Sequence, residues 1–448
     1  MKIIIAGAGA VGTHLAKLLS RENHDIVVIE EDADRLNTLT LNFDLLGKEA
    51  SPTSIAALKS VGVENADLVI GVTPDENKNL TCCMLASKMG AKKTVARIET
   101  REFLEPKNME FFKSVGVHSL ILPEMLAAQE IASSVQRSWI RQWWEIENGA
   151  LILMGIKIRQ SCKILNKCLK DLSTPEIPFH IVAIKRGNET IIPNGNDMLK
   201  PFDLAYFMTT KRYIPYVREV VGKDKYPDIK NVLIMGGGTT SVYTTEMLPD
   251  YMNVKIIEKD KQRCIELTQL IDKDNVMVIH GDGRDLSLLA DENLDTFEAF
   301  VSLTPNSETN ILSCLSAKRM NMNKTVAILD KVNFVGMAES LDIGTIINKQ
   351  AIAAGHIYQM MLKADVSNVR SLVVANADVA EFNVGEKSKI IKKQVKDINL
   401  PNQCTLGGLV RDGQGILING NTQIKPGDHV VAFCIGGNAI NKLSSYFQ

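Results

Sequence analysis

No stretch of this 448-residue sequence strings together the ~20 apolar residues that a membrane helix needs, because the run from Ala150 is broken at Lys157 and again at Arg159. Met1 leads straight into a strand-like segment and a glycine turn ending at Gly12, with no basic start, apolar stretch and small-residue cleavage site, so a cytoplasmic protein is expected. An excess of one charge is also missing. The 51 Lys and Arg balance 52 Asp and Glu, and the net charge of -1 offers no global attraction for nucleic acid or anionic lipid. Of the eight cysteines, Cys82 and Cys83 are adjacent and Cys162, Cys168, Cys264, Cys314, Cys404 and Cys434 are scattered, with no CxxC pair. Reduced, buried thiols follow, and no metal centre is expected. A GxSxG elbow, an HExxH helix and a Walker A lysine loop are absent, which leaves hydrolase, zinc-protease and P-loop readings without their reacting groups. Nor is there a helix-turn-helix segment or basic stripe to carry nucleic acid.

What is present is a globular composition, 45% hydrophobic and 23% charged, in a chain long enough for about two to four domains. The chain also repeats itself at roughly half its length. KIIIAGAGAVG at 2–12 matches NVLIMGGGTTS at 231–241, and DIVVIEED at 25–32 matches NVKIIEKD at 253–260. LVIGVTPDENKN from Leu68 answers AFVSLTPNSETN from Ala299, and KTVA recurs at Lys93 and Lys324. Beyond these, KILNKCLKDL, NGN and KPFDLAYF between Lys163 and Phe207 reappear as KIIKKQVKDI, NGN and KPGDHVVAF between Lys389 and Phe433. The duplicated unit is therefore a domain pair, with the linker between halves at 222–228 around Tyr226, Pro227 and Asp228. The expected class is α/β: two Rossmann-like, doubly wound parallel-sheet domains, each followed by a small α+β lobe.

The chemistry-bearing pattern lies in the glycine turns. A β-branched run to Ala6 precedes Gly7-Ala8-Gly9-Ala10-Val11-Gly12, which opens a helix expected over 13–20. Gly7 permits the tight turn, Gly9 lets backbone approach a pyrophosphate, and Gly12 lets helix pack on strand. The helix N-terminus then faces the phosphates. Glu30, ending the next strand, is placed to accept ribose hydroxyls. In the second half Gly236, Gly237 and Gly238 are followed by Thr239 and Thr240, Ser241 stands where the third glycine belongs, and Glu258 keeps the acidic place. Ligands in such sheets lie beyond the strands' carboxyl ends, so Thr73, Pro74 and Asp75 should line the first cleft and Thr304 and Pro305 the second. Arg97 ends the next strand and is placed to pair with phosphate; Ile328 takes its position in the second half.

These segments, GAGAVG at 7–12, HDIVVIEED with Arg35 and Leu36 behind it, ADLVIGVTPDENKNL from Ala66 and TVARIE from Thr94, resemble the TrkA family of cytosolic potassium-uptake regulators. The likeness covers nearly the whole chain. It implies tandem RCK pairs, with N domains at 1–123 and 229–348 and C lobes at 138–222 and 366–448. It also implies NAD(H), with ATP or ADP as further ligands, bound at Gly7 to Gly12, Glu30, Thr73, Pro74 and Arg97, and at Gly236 to Thr240, Glu258, Thr304 and Pro305. A homotetrameric ring is implied as well, peripheral at the inner face of the cell membrane beneath a membrane-embedded Trk-type K+ translocating subunit. Such a protein is a gate controller and not an enzyme. Members carry Gly-Asp or Gly-Asn after the third strand, as at Gly281-Asp282, whereas the first half reads Gly47-Lys48.

Two rivals stand beside that reading, an NAD-dependent oxidoreductase and a nucleotide-sensing regulator of another partner. Hydride transfer needs an acid or base near the nicotinamide, yet His14, His24, His118, His180, His280, His356 and His429 share no placement in the repeats. His280 lies nearest a cleft. All three tryptophans cluster at Trp139, Trp143 and Trp144, where a spacing of four puts Trp139 over Trp143 on one helical face, suited to a core or a subunit contact.

Overall fold

A computed structural model describes the chain except for residues 21–23, 173–176, 286–287, 289–295, 332, 362–365, 373, 376, 437–438 and 448. The chain divides into two units, Met1–Leu126 with Lys349–Leu362, and Ala127–Asn348 with Lys363–Gln448.

The first unit is built on six strands: β1 (Lys2–Ala6), β2 (Asp25–Glu30), β3 (Leu46–Glu49), β4 (Leu68–Gly71), β5 (Thr94–Arg97) and β6 (Ser119–Ile121). They pair in the order β3-β2-β1-β4-β5-β6, parallel throughout. Ile3, Ile4 and Ile5 are fully buried, as the continuous apolar run of a strand covered on both faces requires. The order reverses direction between β1 and β4, which opens a crevice beyond their carboxyl ends. The first helix spans Ala10–Leu19, starting three residues earlier than the sequence suggests, and buries Val11, Leu15, Ala16 and Leu19. A helix from late in the chain, Lys349–Gln359, packs on it through a face containing Ala351, Ala353, Ala354 and Ile357, whose small side chains permit close approach. Lys349 also lies 3.6 Å from Glu124 within this unit.

The second unit holds three sheets. One is antiparallel, β10-β9-β11-β8-β7, from β7 (Gln142–Ile146), β8 (Leu151–Lys157), β9 (Phe179–Arg186), β10 (Glu189–Ile191) and β11 (Leu204–Thr209). A parallel sheet repeats the first unit's order as β14-β13-β12-β15-β16-β17, from β12 (Asn231–Met235), β13 (Asn253–Glu258), β14 (Val276–His280), β15 (Ala299–Ser302), β16 (Lys324–Ile328) and β17 (Thr345–Ile347). The last, β18-β19-β22-β20-β21, comprises β18 (Val366–Leu372), β19 (Ala377–Asn383), β20 (Cys404–Arg411), β21 (Gln414–Leu417) and β22 (His429–Ile435). The antiparallel lobes share one core in which Leu151, Val182 and Tyr206 meet Val379, Val431 and Phe433, and the Tyr206 and Phe433 rings lie 5.5 Å apart.

The repeated lobe motifs turn out to be structural. In lobe 1 the buried Asp203 takes a two-pronged contact from Arg186, Nε to Oδ1 at 2.9 Å and Nη2 to Oδ2 at 2.7 Å. Asp428 takes the same contact from Arg411 at 2.7 Å and 2.7 Å. Such fork-to-carboxylate pairs fix the turn that carries each KP-x-D sequence. The tryptophans correct the sequence reading. Trp143 and Trp144 lie side by side on β7 and Trp139 precedes it, so no helical face joins them. Trp139 enters the lobe 1 core and Trp144 the core shared by the lobes, while the Arg137 guanidinium covers the Trp143 ring at 4.0 Å. Among the described residues no helix is long and apolar enough to cross a membrane.

Candidate functional site

The first glycine turn is shaped by contacts that only glycine allows at two positions. Gly7 has φ of 113°, and a Cβ there would lie 2.9 Å from the Thr73 nitrogen, so the turn and the end of β4 touch backbone to backbone. A Cβ on Gly12 would fall 1.9 Å from the Gly7 carbonyl oxygen. Gly9 differs, since a Cβ would meet nothing within 4 Å. It faces open space at the N-cap of Ala10–Leu19, where no side chain caps the helix and no acid occupies the first turn. By contrast, Asp32, Ser54 and Asp75 cap the helices that follow them. The free N–H groups and the positive end of the helix dipole are therefore left for an anion.

Glu30 stands at the end of β2, facing that turn. Its Oε2 accepts from Ala8 N at 2.5 Å, while Oε1 accepts from Glu31 N at 2.9 Å and Asp32 N at 3.1 Å. Beside it, Glu31 pairs with Lys78 at 2.7 Å; the bond from Lys78 first, then that from Ser51, holds the Glu31 carboxyl below its ordinary range.

Across the crevice, the residue that organises the site is Asn79, which the sequence reading did not single out. It is fully buried, and its Oδ1 accepts from both Thr73 N and Thr73 Oγ1 at 2.8 Å. Its Nδ2 donates to the Thr73 carbonyl at 3.0 Å and to the Arg97 carbonyl at 2.9 Å. One amide thus fixes the ends of β4 and β5, a fully satisfied polar group in an apolar setting. Thr73 is consequently buried with its hydroxyl engaged, and Pro74 is exposed at the rim. The Arg97 side chain is mostly buried, with Nη2 on Glu99 at 3.0 Å and Nε without a hydrogen-bond partner. Glu76 ties the neighbouring loop by accepting from Glu99 N at 2.8 Å and Thr100 Oγ1 at 2.6 Å. Burial opposes its charge, yet these bonds outweigh burial and lower its pKa.

The second copy keeps the plan and changes the detail. Gly236 has φ of 103° and abuts Leu303 and Thr304; Gly238 faces open space at the uncapped start of Thr239–Met247. Glu258 Oε2 accepts from Gly237 N at 2.7 Å. Asn310 repeats Asn79, accepting from Thr304 Oγ1 at 2.6 Å and donating to the Thr304 and Ile328 carbonyls at 2.8 Å each. Thr304 is therefore held as Thr73 is, and Pro305 is exposed. Ser241, fully buried, sends its hydroxyl to the Gly236 carbonyl at 2.6 Å, closing the turn where the first copy has only Gly12. Arg263 Nε donates to the Gly237 carbonyl at 2.8 Å, and a Cβ on Gly237 would lie 2.4 Å from Leu267. The equivalent Arg35 pairs instead with Asp32 at 3.3 Å, so the second turn is the more crowded one.

The register of the third strands corrects one sequence expectation. Glu30 lies opposite Glu49 and Glu258 opposite His280, while Ala50 N and Gly281 N both reach the carbonyl of those acids, at 3.0 Å and 2.9 Å. The counterpart of Gly281-Asp282 is Ala50-Ser51. Gly47 lies within β3, packed toward Leu36 and Thr40. His280 Nε2 lies 3.2 Å from the Lys259 carbonyl.

The architecture defines a class: paired Rossmann-type domains with uncapped glycine turns and acidic strand ends, each followed by an antiparallel lobe. The TrkA-N domain family matches residues 3–123 and 232–349, and the TrkA-C domain family matches 153–222 and 379–448. The chain belongs to the TrkA family. It is 30% identical over 454 residues to the Trk system potassium uptake protein TrkA of Halomonas elongata, covering 100% of this chain and 99% of that one. A protein of the same name from Vibrio alginolyticus is 30% identical over 456 residues, with coverage of 100% and 99%. In fold it is similar to the crystal structure of the GsuK RCK domain, with a TM-score of 0.61 and 15% identity over 99% of this chain and 94% of that one. It is also similar to the GsuK channel bound to NAD, at 0.60 and 14%, covering 99% of this chain and 78% of that one.

Proposed function

We propose that the chain is a nucleotide-binding regulatory subunit of a potassium uptake system, acting without catalysis of its own. The observation that carries this is the first glycine turn: an uncapped helix N-terminus beneath open Gly9, with Glu30 at the adjacent strand end and Asn79 fixing the opposite wall. Those residues fit a dinucleotide or adenine nucleotide, NAD(H) or ATP and ADP. The N–H groups of Ala10 and Val11 would meet phosphate, Glu30 would accept ribose hydroxyls, and Ser51 and the Thr73–Pro74 rim would flank the rest. The naming of full-length relatives as Trk system potassium uptake proteins supports potassium transport as the process. The reading includes four domains at 1–123, 138–222, 229–348 and 366–448, a homotetrameric ring, and a membrane-embedded K+ translocating partner at the cytoplasmic face.

Regulation requires that the ligand favour one conformation over another, since equal affinity shifts nothing. Glu30 supplies the local switch. Its bond to Ala8 N draws the turn onto the strand end, and a ribose competing for the same carboxylate would release it. The Asn79 and Glu76 bonds then pass any displacement of the β4 end to the chain leaving β5. The test is calorimetric titration of the purified protein with NAD, NADH, ATP and ADP, coupled to a turnover assay. Binding without turnover is expected; turnover of a small hydroxy acid would replace this reading with a dehydrogenase.

A further inference from the structure

A second concentration of chemistry lies in the other unit, where lobe 1 meets the second parallel sheet. Asp342 is the hub of this cluster, and Glu339, paired with Lys157 at 2.7 Å, is a second carboxylate close enough to Arg141 to act on its charge. Arg141 Nη2 reaches Oδ1 at 2.8 Å, Lys318 Nζ reaches Oδ2 at 2.9 Å, and Arg159 Nη2 also binds Oδ2. Lys318 additionally donates to the Asp342 carbonyl. A fourth cation, Lys223, is almost wholly buried, donates to the Tyr226 hydroxyl at 2.8 Å, and lies close enough to Arg159 and Arg141 to feel their charge. Three cations thus share the Asp342 carboxylate, and with Lys223 and Lys157 five cations stand against two carboxylates, Asp342 and Glu339. Burial, reinforced by this mutual repulsion, pushes the Lys318 and Lys223 ammonium groups down. Half-buried positive charge left uncompensated by the protein is what an anion would complete.

The rim gives an independent indication. Phe202 is 63% exposed, its φ is 69°, and the Arg159 guanidinium lies 5.5 Å from its ring centre. Lobe 2 shows what the turn needs structurally. Ile158 N donates to the Asp203 carbonyl and Phe202 N to the Ile158 carbonyl; Val384 N and Gly427 N make the same two bonds, to Asp428 and Val384. The equivalents of Arg159 and Phe202 are therefore Gly385 and Gly427. Glycine suits the left-handed position, as Gly427 with φ of 85° shows, whereas a bulky aromatic is strained there and gains nothing from burial. Lobe 1 carries a guanidinium and an exposed ring where its sibling needs neither, and the guanidinium belongs to the cation cluster.

We propose that Arg141, Arg159, Lys223 and Lys318 form a binding site for a phosphate group, free or carried by a nucleoside whose base stacks on Phe202. The site uses no residue of either glycine turn. It would let a phosphorylated solute bias the joint between lobe 1 and the second Rossmann domain.

The test uses the full chain and the Arg159→Gly/Phe202→Gly double variant, which installs lobe 2's own residues and so should fold. Thermal unfolding and calorimetry are followed with inorganic phosphate, with ADP, and with sodium chloride at matched ionic strength. Phosphate should raise the wild-type midpoint where chloride does not, and the double variant should bind it at least about tenfold more weakly, the loss expected for a charge-assisted contact. Because the glycine turns are untouched, the difference between wild type and variant reads the junction alone. Phe202→Gly then separates the sources: weakening of ADP alone identifies a nucleoside phosphate, and no change in either ligand identifies free phosphate. Equal phosphate affinity in wild type and double variant, or a chloride effect as large as that of phosphate, would overturn the proposal. NADH titration of the double variant, expected to match wild type, keeps this outcome distinct from the fate of the first glycine turn.

Discussion

Asn79 donates its side-chain amide to the backbone carbonyl of Arg97 at 2.9 Å, and Asn310 does the same to Ile328 at 2.8 Å. The two halves differ in the side chain at the receiving position, Arg in one and Ile in the other, yet the bond persists because it is made to backbone. The strand ends that wall each crevice are therefore positioned by the asparagines, independently of which side chain stands at the receiving position.

Replacing Asn79 by Ala takes its bonds from three backbone groups in a buried setting, Thr73 N, the Thr73 carbonyl and the Arg97 carbonyl. The expected loss is about 3–6 kcal/mol of stability, from three unsatisfied backbone groups at about 1–2 kcal/mol each. NADH affinity should fall with it by roughly tenfold, about 1.4 kcal/mol, since the wall moves. Denaturant unfolding and NADH titration of N79A check this; an unchanged affinity would show that the wall does not contribute to the site.

The glycine turns offer a contrasting pair of variants. Gly12→Ala places a methyl 1.9 Å from the Gly7 carbonyl oxygen and must displace the turn, so NADH binding should be lost while the fold survives. Ser241→Ala adds no bulk and removes the bond to the Gly236 carbonyl, for an expected loss of about 1 kcal/mol. Far-UV circular dichroism, thermal unfolding and titration distinguish the two.

Asp342 sets an acid limb. Burial opposes its charge, but Arg141, the Lys318 bond and Arg159 outweigh it and hold its pKa at about 2, against 3.8 ordinarily. A depressed carboxylate contributes stability that is complete above the unfolded pKa and is lost as pH falls through the folded one. The window is from pH 4 down to about 2, and the contribution lost is about 2 kcal/mol. In Asp342→Asn that contribution should vanish from the pH profile, with neutral-pH stability lower by about 3 kcal/mol because three cations lose their common partner. Unfolding free energies measured from pH 7 to pH 2 test both halves of the expectation.

Much of the fold is legible in the sequence because parallel strands covered on both faces leave unbroken apolar runs, and because Gly7 and Gly236 stand where only glycine turns without strain. The duplication makes each half a check on the other. Other features are not legible. β3 is short and wholly exposed, so its apolar pattern could not fix its register, and Gly47 drew the alignment three positions away from Ala50-Ser51. The Trp139–Trp143 spacing mimics a helical turn, but β7 is held by its neighbour β8, and pairing overrides local spacing. Asn79 and Asn310 close the repeated blocks and were visible as a matched pair. What their amides bond is set by strands 18 residues further along, information that only the folded chain contains.

The most direct measurement is calorimetric titration of NADH into the wild-type chain and into Glu30→Ala. The geometry of the first turn predicts saturable binding to wild type and an affinity lower by about tenfold or more in the variant, where the ribose acceptor is gone. Indistinguishable affinities, or no NADH and no ATP binding to the wild-type chain, would contradict the assignment of the first glycine turn as a nucleotide site.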